Sequence, residues 1–384
     1  MRIAFLTQDL QLSGGVGVIV AHAVGLARHG FAVDLVLTRA SARPDWSHHG
    51  LASVQVVGLD AARHACFAQS LEDRFYGAED PQRLVAALAQ DLPVRFVTEA
   101  RWIADTLEAL HPGAKVLYVR NGIAKDVFAP VPAAPLPRGG PLRVLVEGSL
   151  GVPFKGVGDA LAAVARMRAP RHVTVVAPDA TAERLDGVDR LLGAVPQRRL
   201  ADLYAETDVV LKLSRVEGMF APPLEGFHKG ATCVVTPVTG HDEYVVHGEN
   251  GLVVDWDDPA GTGRALDLLA HDRVLLHRLR AGALATARSW PGWEQQSQVM
   301  AAALQAIGRE PAPDGRAAGR RLGHDMAAAL SDGERLAAEL RDARRVAAHV
   351  QGSRAFRLAV KGRSTVERAV RAPGRWRRRR RGEE

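Results

Sequence analysis

The sequence predicts an α/β protein made of two parallel-sheet units joined by a linker. At 384 residues the chain is too long for one ordinary core. Short β-branched runs alternate with helix-like runs, the pattern of parallel sheets covered by helices on both faces. Residues 129–141 hold Pro130, Pro132, Pro135, Pro137 and Pro141 with Gly139 and Gly140, a stretch that continues neither a helix nor a central strand.

The first unit opens with a strand at Arg2–Leu6 and a loop bearing Gly14, Gly15 and Gly17, followed by a helix at Val18–Arg28. Strands are expected at Phe31–Thr38, Val54–Gly58, Val94–Thr98 and Lys115–Val119. The second unit repeats the opening. Leu142–Glu147 is a strand, Gly148–Gly158 a glycine-rich loop and Asp159–Met167 a helix. Strands follow at His172–Ala177, Asp208–Leu213 and Ala231–Thr236. Helices follow at Leu200–Glu206, Glu225–Gly230, Pro259–Ala270 and Arg273–Ala287.

Hydrophobic residues make up 47% of the chain, enough for globular cores. Two cysteines, Cys66 and Cys233, exclude a disulfide framework or a cysteine-based zinc site and suit a reducing cytoplasm. MRIAFLTQDL enters a strand pattern at once, so no signal peptide is expected, and no run approaches the roughly 20 apolar residues of a membrane span. The net charge of +7 is unevenly placed: residues 311–384 carry +10 and residues 1–310 carry −3. The basic character therefore belongs to a tail, and no specific nucleic-acid partner is expected for the body.

Glu217-Gly-Met-Phe-Ala-Pro-Pro-Leu-Glu225 is the segment richest in chemistry. Its first carboxylate follows a strand end and its second is expected to start a helix after a proline pair. At the C-terminal ends of parallel strands such side chains point into a ligand crevice. The segment resembles the Glu–seven residues–Glu motif of retaining GT-B glycosyltransferases of family four. Gly240-His-Asp-Glu243 and Gly248-Glu-Asn-Gly-Leu-Val-Val254 resemble the turn and strand that follow it there. Phe154-Lys155-Gly156 resembles the family's phosphate loop, Asn121-Gly122-Ile123 its interdomain signature and Gly14-Gly15 its N-terminal glycine loop. The likeness runs from residue 1 to about 305.

The resemblance implies a GT-B fold, two Rossmann-like domains facing across a cleft, with a helical basic tail. Residues 1–128 form the acceptor domain, 129–141 the linker, 142–288 the nucleotide-sugar domain, 289–310 a helix crossing back and 311–384 the tail. It implies transfer of a hexosyl or deoxyhexosyl group from a nucleoside diphosphate to a carbohydrate acceptor. Glu217 and Lys155 are the implied catalytic residues, with Glu217 on the transferred sugar and Lys155 on the diphosphate, where negative charge grows. Gly14, Gly15, Gly148, Ser149, Met219, Phe220, Ala221, Glu225 and Glu243 complete the implied donor site, with Glu225 on the ribose. No cofactor is implied. No carboxylate cluster or Asp-x-Asp grip is expected at the diphosphate, so the reading is metal-independent.

Three departures stand out. Ser149 occupies the place of the family's diphosphate-binding arginine, with Lys212, Arg215 or Arg120 as substitutes. Met219-Phe220 brings a bulky residue where glycine is usual, and Ala124 replaces an aspartate. Glu72-Asp-Arg-Phe-Tyr76 and Thr98-Glu-Ala-Arg-Trp102 are similar to a branch of bacterial surface-polysaccharide rhamnosyltransferases, which makes Glu72, Tyr76 and Trp102 acceptor candidates. A lipid-linked polysaccharide precursor is the acceptor expected from that branch. The competing class is a non-catalytic nucleotide-sugar or glycan-binding subunit of an assembly complex. Arginines around Val366, Val370 and Trp376 give residues 354–381 the make-up of a segment that lies on an anionic membrane, which would hold the protein peripherally on the inner face.

Overall fold

The computed structural model describes residues 2–7, 14–37, 55–57, 65–88, 90, 94–112, 115–136, 139–181, 184–309 and, in the tail, 335, 338, 339, 342, 345 and 346. Strands β1 (Arg2–Thr7), β2 (Ala32–Leu37) and β3 (Gln55–Val57) pair in parallel, in that order. Strands β4 (Ala65–Ala68), β5 (Arg95–Thr98) and β6 (Leu117–Tyr118) form a second parallel sheet. Helices α1 (Gly14–Arg28), α2 (Pro81–Leu88) and α3 (Arg101–Leu110) connect them.

After residues 129–136, which carry no helix or strand, comes a six-stranded parallel sheet. Its strands are β7 (Leu142–Glu147), β8 (Arg171–Val176), β9 (Arg190–Leu192), β10 (Val209–Lys212), β11 (Thr232–Val235) and β12 (Gly251–Val253), in the spatial order β12-β11-β10-β7-β8-β9. Helices α4 (Val157–Val164), α5 (Gln197–Glu206), α6 (Ala221–His228), α7 (Pro259–His271) and α8 (Arg273–Ser289) cover it. The central strands β10 and β11 are buried along their whole length, which is why Val209–Leu211 and Cys233–Val235 are apolar throughout instead of alternating.

The structure departs from the expected elements in three places. Gly14 and Gly15 lie in the first turn of α1 and not in a loop before it. The buried face of Val20, Ala23, Val24 and Leu26 drives the helix, outweighing a glycine cost of about 1 kcal/mol each. Helix α6 begins at Ala221, so the proline pair sits in its first turn and Glu225 in its second. Proline is accepted there because first-turn N–H groups have no intrahelical partner to lose. Strands β4 and β9 are additions to the expected set.

Helix α9 (Trp293–Arg309) leaves the six-stranded half and packs on α1, placing Met300 and Ala301 in one cluster with Ile3, Val20 and Leu35. A Cβ on Gly25 would fall 1.8 Å from Ser297 Oγ, so glycine lets the two helices meet. Trp290 Nε1 donates to Asn121 O at 2.9 Å, and Ile123 N donates to Pro291 O at 3.1 Å, which fixes the return of the chain.

Asp208, ahead of β10, is buried and accepts from Arg143 Nη2 at 2.5 Å and from Arg280 Nη1 at 3.1 Å. It ties β7 and α8 to the sheet. Asp208→Ala strips the carboxylate from a guanidinium that is itself 1% exposed. The expected loss is about 3–5 kcal/mol, read as a lower denaturant midpoint.

Candidate active site

Parallel strands deliver their C-terminal ends to one edge of a sheet, where side chains leave the ladder and face a crevice. Here β7 ends on Glu147 and the neighbouring β10 on Lys212. Lys155 comes from the single 3-10 turn Pro153–Lys155 before α4. Lys155 Nζ donates to Glu217 Oε2 at 2.9 Å. Lys212, 3% exposed, donates to Glu147 Oε2 at 2.9 Å and Glu147 O at 3.0 Å, and stands 3.8 Å from Glu217 Oε1. Glu217 is thus held between two ammonium groups. Its Oε1 is buried and accepts no hydrogen bond.

The other half of the protein closes on this edge. Glu99, just past β5, accepts from Asn121 Nδ2 at 2.8 Å and Gln69 Nε2 at 3.3 Å, and from Met219 N across the divide at 3.1 Å. Trp102 Nε1 donates to Gly218 O at 3.0 Å. Glu243 accepts from Arg101 N at 2.5 Å and from Tyr118 Oη at 2.6 Å. Phe75 stacks on Phe154 with ring centroids 5.4 Å apart, and Arg74 Nη1 donates to Thr239 Oγ1 at 2.8 Å.

The architecture matches sucrose-phosphate synthase from Thermosynechococcus elongatus with a TM-score of 0.64, covering 80% of this chain and 98% of that one at 15% identity. The chain has the GT-B fold. HepE of Anabaena, in complex with UDP and glucose, gives a TM-score of 0.60 over 80% of this chain and 100% of its own, at 13% identity. Residues 141–272, most of the second GT-B half, match the family described as Glycosyl transferases group 1. D-inositol 3-phosphate glycosyltransferase of Thermobispora bispora is 29% identical over 254 residues, 59% of this chain and 59% of that protein. The chain thus spans under two thirds of the length of that curated relative.

The GT-B structure brings some of the expected site residues into contact. Lys155 and Glu217 touch, and Glu225 follows on α6. Ala221 opens α6. Phe220 is fully buried in a cluster with Leu224, Phe227 and Tyr244, so its bulk fills the core. Met219 N, Glu243 and Trp102 all make bonds between the two halves. Gly148 turns the chain at φ 153°, and Ser149 Oγ donates to Asp179 at 2.5 Å. Asp179 also accepts from Leu150 N and Gly151 N, and these three bonds hold its carboxyl down at about 2. Glu72 and Tyr76 are exposed, within and just after the turn Glu72–Phe75, and Gly14 and Gly15 begin α1.

Of the candidates for the missing arginine, Arg215 pairs with Asp159 and Asp257 and Arg120 lies over the Trp290 ring, while Lys212 joins the buried carboxylates. The chain does contain one Asp-x-Asp, Asp255-Trp-Asp257, contrary to expectation. Its Asp257 is 2.5 Å from Arg215. Among the described residues no group of three His, Cys, Asp or Glu side chains is arranged to hold a metal ion. Glu99 and Glu147 were not singled out by the sequence. Their one signal is position, at the C-terminal ends of β5 and β7.

Burial pushes the Glu225 carboxyl up to about 8, and the Glu147 charge adds to the effect, against opposing pulls from Tyr204 and Lys212. Burial likewise raises Glu99 to about 7, against its three hydrogen bonds. A raised carboxyl means that the folded state keeps a proton the unfolded chain has lost, so stability falls as pH climbs from the ordinary value of 4.5 to about 8. Buried His228, held down to about 4, acts oppositely, but only below its ordinary 6.5. Above about pH 6.5 the carboxyls therefore dominate this set. Glu225→Gln should flatten the fall in melting temperature between about pH 6.5 and 8.5. An unchanged slope would contradict the protonated carboxyl.

Proposed function

We propose that the chain is a retaining glycosyltransferase that moves a hexosyl or deoxyhexosyl group from a nucleoside diphosphate to a carbohydrate acceptor without a metal ion. The observation that carries this reading is the Lys155–Glu217 pair, with a buried and unbonded Glu217 oxygen, at the C-terminal strand edge of a GT-B half. It draws support from relatives: the Thermobispora protein by its name, and HepE by the UDP and glucose in its complex. The units 1–128 and 142–288, the linker 129–141 and the returning helix 289–310 are the domain division of this reading.

In the proposed reaction the bond from the anomeric carbon to the diphosphate oxygen breaks while the acceptor oxygen bonds to the same face of that carbon. The proton of the acceptor hydroxyl passes to the departing phosphate. Lys155 faces the charge that grows on the leaving group, which lowers the barrier more than it strengthens ground-state binding. Glu217 Oε1 accepts a hydroxyl of the transferred sugar. Glu225, neutral below about 8, can both donate to and accept from ribose hydroxyls.

A second reading is a non-catalytic nucleotide-sugar or glycan-binding subunit. The observation in its favour is that Met219 N and Glu243, both expected at the donor, are bonded to the opposite half. A panel of nucleotide sugars, incubated in EDTA and assayed for released nucleoside diphosphate, decides between them. The enzyme reading expects release, with Glu217→Ala lowering turnover by about a hundredfold and Glu225→Ala chiefly weakening nucleotide binding by about tenfold. Binding without release from any donor would favour the second reading, and release that needs restored magnesium or manganese would end the metal-free one.

The proposal places the protein in the cytoplasm, peripheral on the inner membrane face where a lipid-linked acceptor would be met. The basic segment 354–381 lies outside the described residues, and among those described no helix is long and apolar enough to cross a membrane. The full chain should float with anionic liposomes at low salt, with each basic residue contributing on the order of 1 kcal/mol. A chain ending near residue 310 should not. Equal behaviour of the two removes the tail from the account.

A further inference from the structure

We infer that the buried Lys212–Glu147 pair is an internal counter-charge that lets Glu217 release Lys155 to the donor diphosphate. The inference rests on the donor-site reading above. It assigns a positioning role to two residues that contact neither sugar nor phosphate in that reading.

Lys155 is paired with Glu217 at 2.9 Å. A diphosphate can recruit that ammonium only by competing with the carboxylate. If Lys155 were the sole cation beside Glu217, its departure would leave an anion that is 9% exposed next to more carboxylates, a costly arrangement. Lys212 prevents this. It sits 3.8 Å from the other Glu217 oxygen, close enough for a small shift to complete a hydrogen bond.

Lys212 is kept in place and kept charged by Glu147. The side-chain bond at 2.9 Å and the backbone bond to Glu147 O at 3.0 Å anchor the ammonium on the strand next to its own. Burial alone would lower the Lys212 pKa, but the charges of Glu147 and Glu217 and the hydrogen bond to Glu147 outweigh it and hold the group above its ordinary range. The other two cations near the strand edge are engaged elsewhere. Arg215 is bound by Asp159 and Asp257, and Arg120 lies 4.3 Å above the Trp290 ring and 3.9 Å from Glu243. Lys212 is also no replacement for the missing arginine at the phosphates, because its ammonium is bonded twice to Glu147.

A binding cycle tests this without turnover. Affinities for uridine, guanosine and deoxythymidine diphosphates are measured by calorimetry, and the cycle is run with whichever binds the wild type. Lys212→Met should weaken binding by at least about fivefold, because Glu217 then grips Lys155 more tightly. In a Glu217→Gln background, where Lys155 is already released, the same substitution should change affinity by less than about twofold. Lys212→Arg should recover most of the loss. If Lys212→Met unfolds the chain, Lys212→Met with Glu147→Gln removes both members of the pair and is carried through the same cycle. Equal losses in the two backgrounds would show that Lys212 touches the diphosphate or acts only structurally, and no loss in either would show it idle. Both outcomes overturn the inference while leaving the donor site intact. A wild type that binds none of the three diphosphates overturns the donor reading and this inference together.

Discussion

A charge removed from water must meet an opposite charge or a full set of hydrogen bonds, and that constraint shapes the place where the two halves meet. Glu99, Glu147, Glu217 and Glu225 come from both halves of the chain. Lys155 and Lys212 balance the middle pair. Glu99 is served by three N–H donors and Glu225 is left with its proton. The four carboxyls reach stability by three routes, and the ion pairs and N–H bonds each fix a neighbour. Glu147 fixes Lys212, Glu217 fixes Lys155, and Glu99 fixes the loop through Met219. The polar centre is specified as tightly as the apolar layers around it, because half-satisfied buried networks cost more than apolar packing.

The fold was legible because its signals are local. A buried parallel strand reads as a short apolar run, and β7, β8, β10 and β11 all do. Strand β4, Ala65–Ala68, escaped because its four-residue run holds no β-branched residue and is too short to stand out. The start of α6 was misplaced because a proline pair reads as a stop, although in a first turn it is a start. The Lys155 and Glu217 candidates came from the resemblance to a family motif, and the structure brings the two side chains into contact. Glu99 was invisible for a different reason. Its bond to Met219 spans 120 residues of sequence and exists only once both halves are folded and facing each other. No periodicity or propensity encodes such a pairing.

The contact between the halves also explains a letter of the motif that spacing alone leaves arbitrary. Gly218 has no positive φ, so backbone freedom does not require glycine there. Space does. A Cβ at 218 would lie 1.8 Å from Gln69 O and 3.2 Å from Glu99 Oε1, both on the opposite half. On its other side the Gly218 carbonyl is approached by Trp102 Nε1 and lies 2.2 Å from where a Cβ of Gly240 would stand. Three stretches of main chain, at 69, 218 and 240, therefore converge where any methyl group would hold them apart. Glu217 precedes this point and Met219 follows it. The carboxylate that faces Lys155 and the amide that meets Glu99 are set by the same close approach. The chemistry of the edge and the closure of the halves are consequently one constraint: a side chain at 218 would move the Glu217–Met219 loop away from Glu99 and, with it, the carboxylate from its lysines.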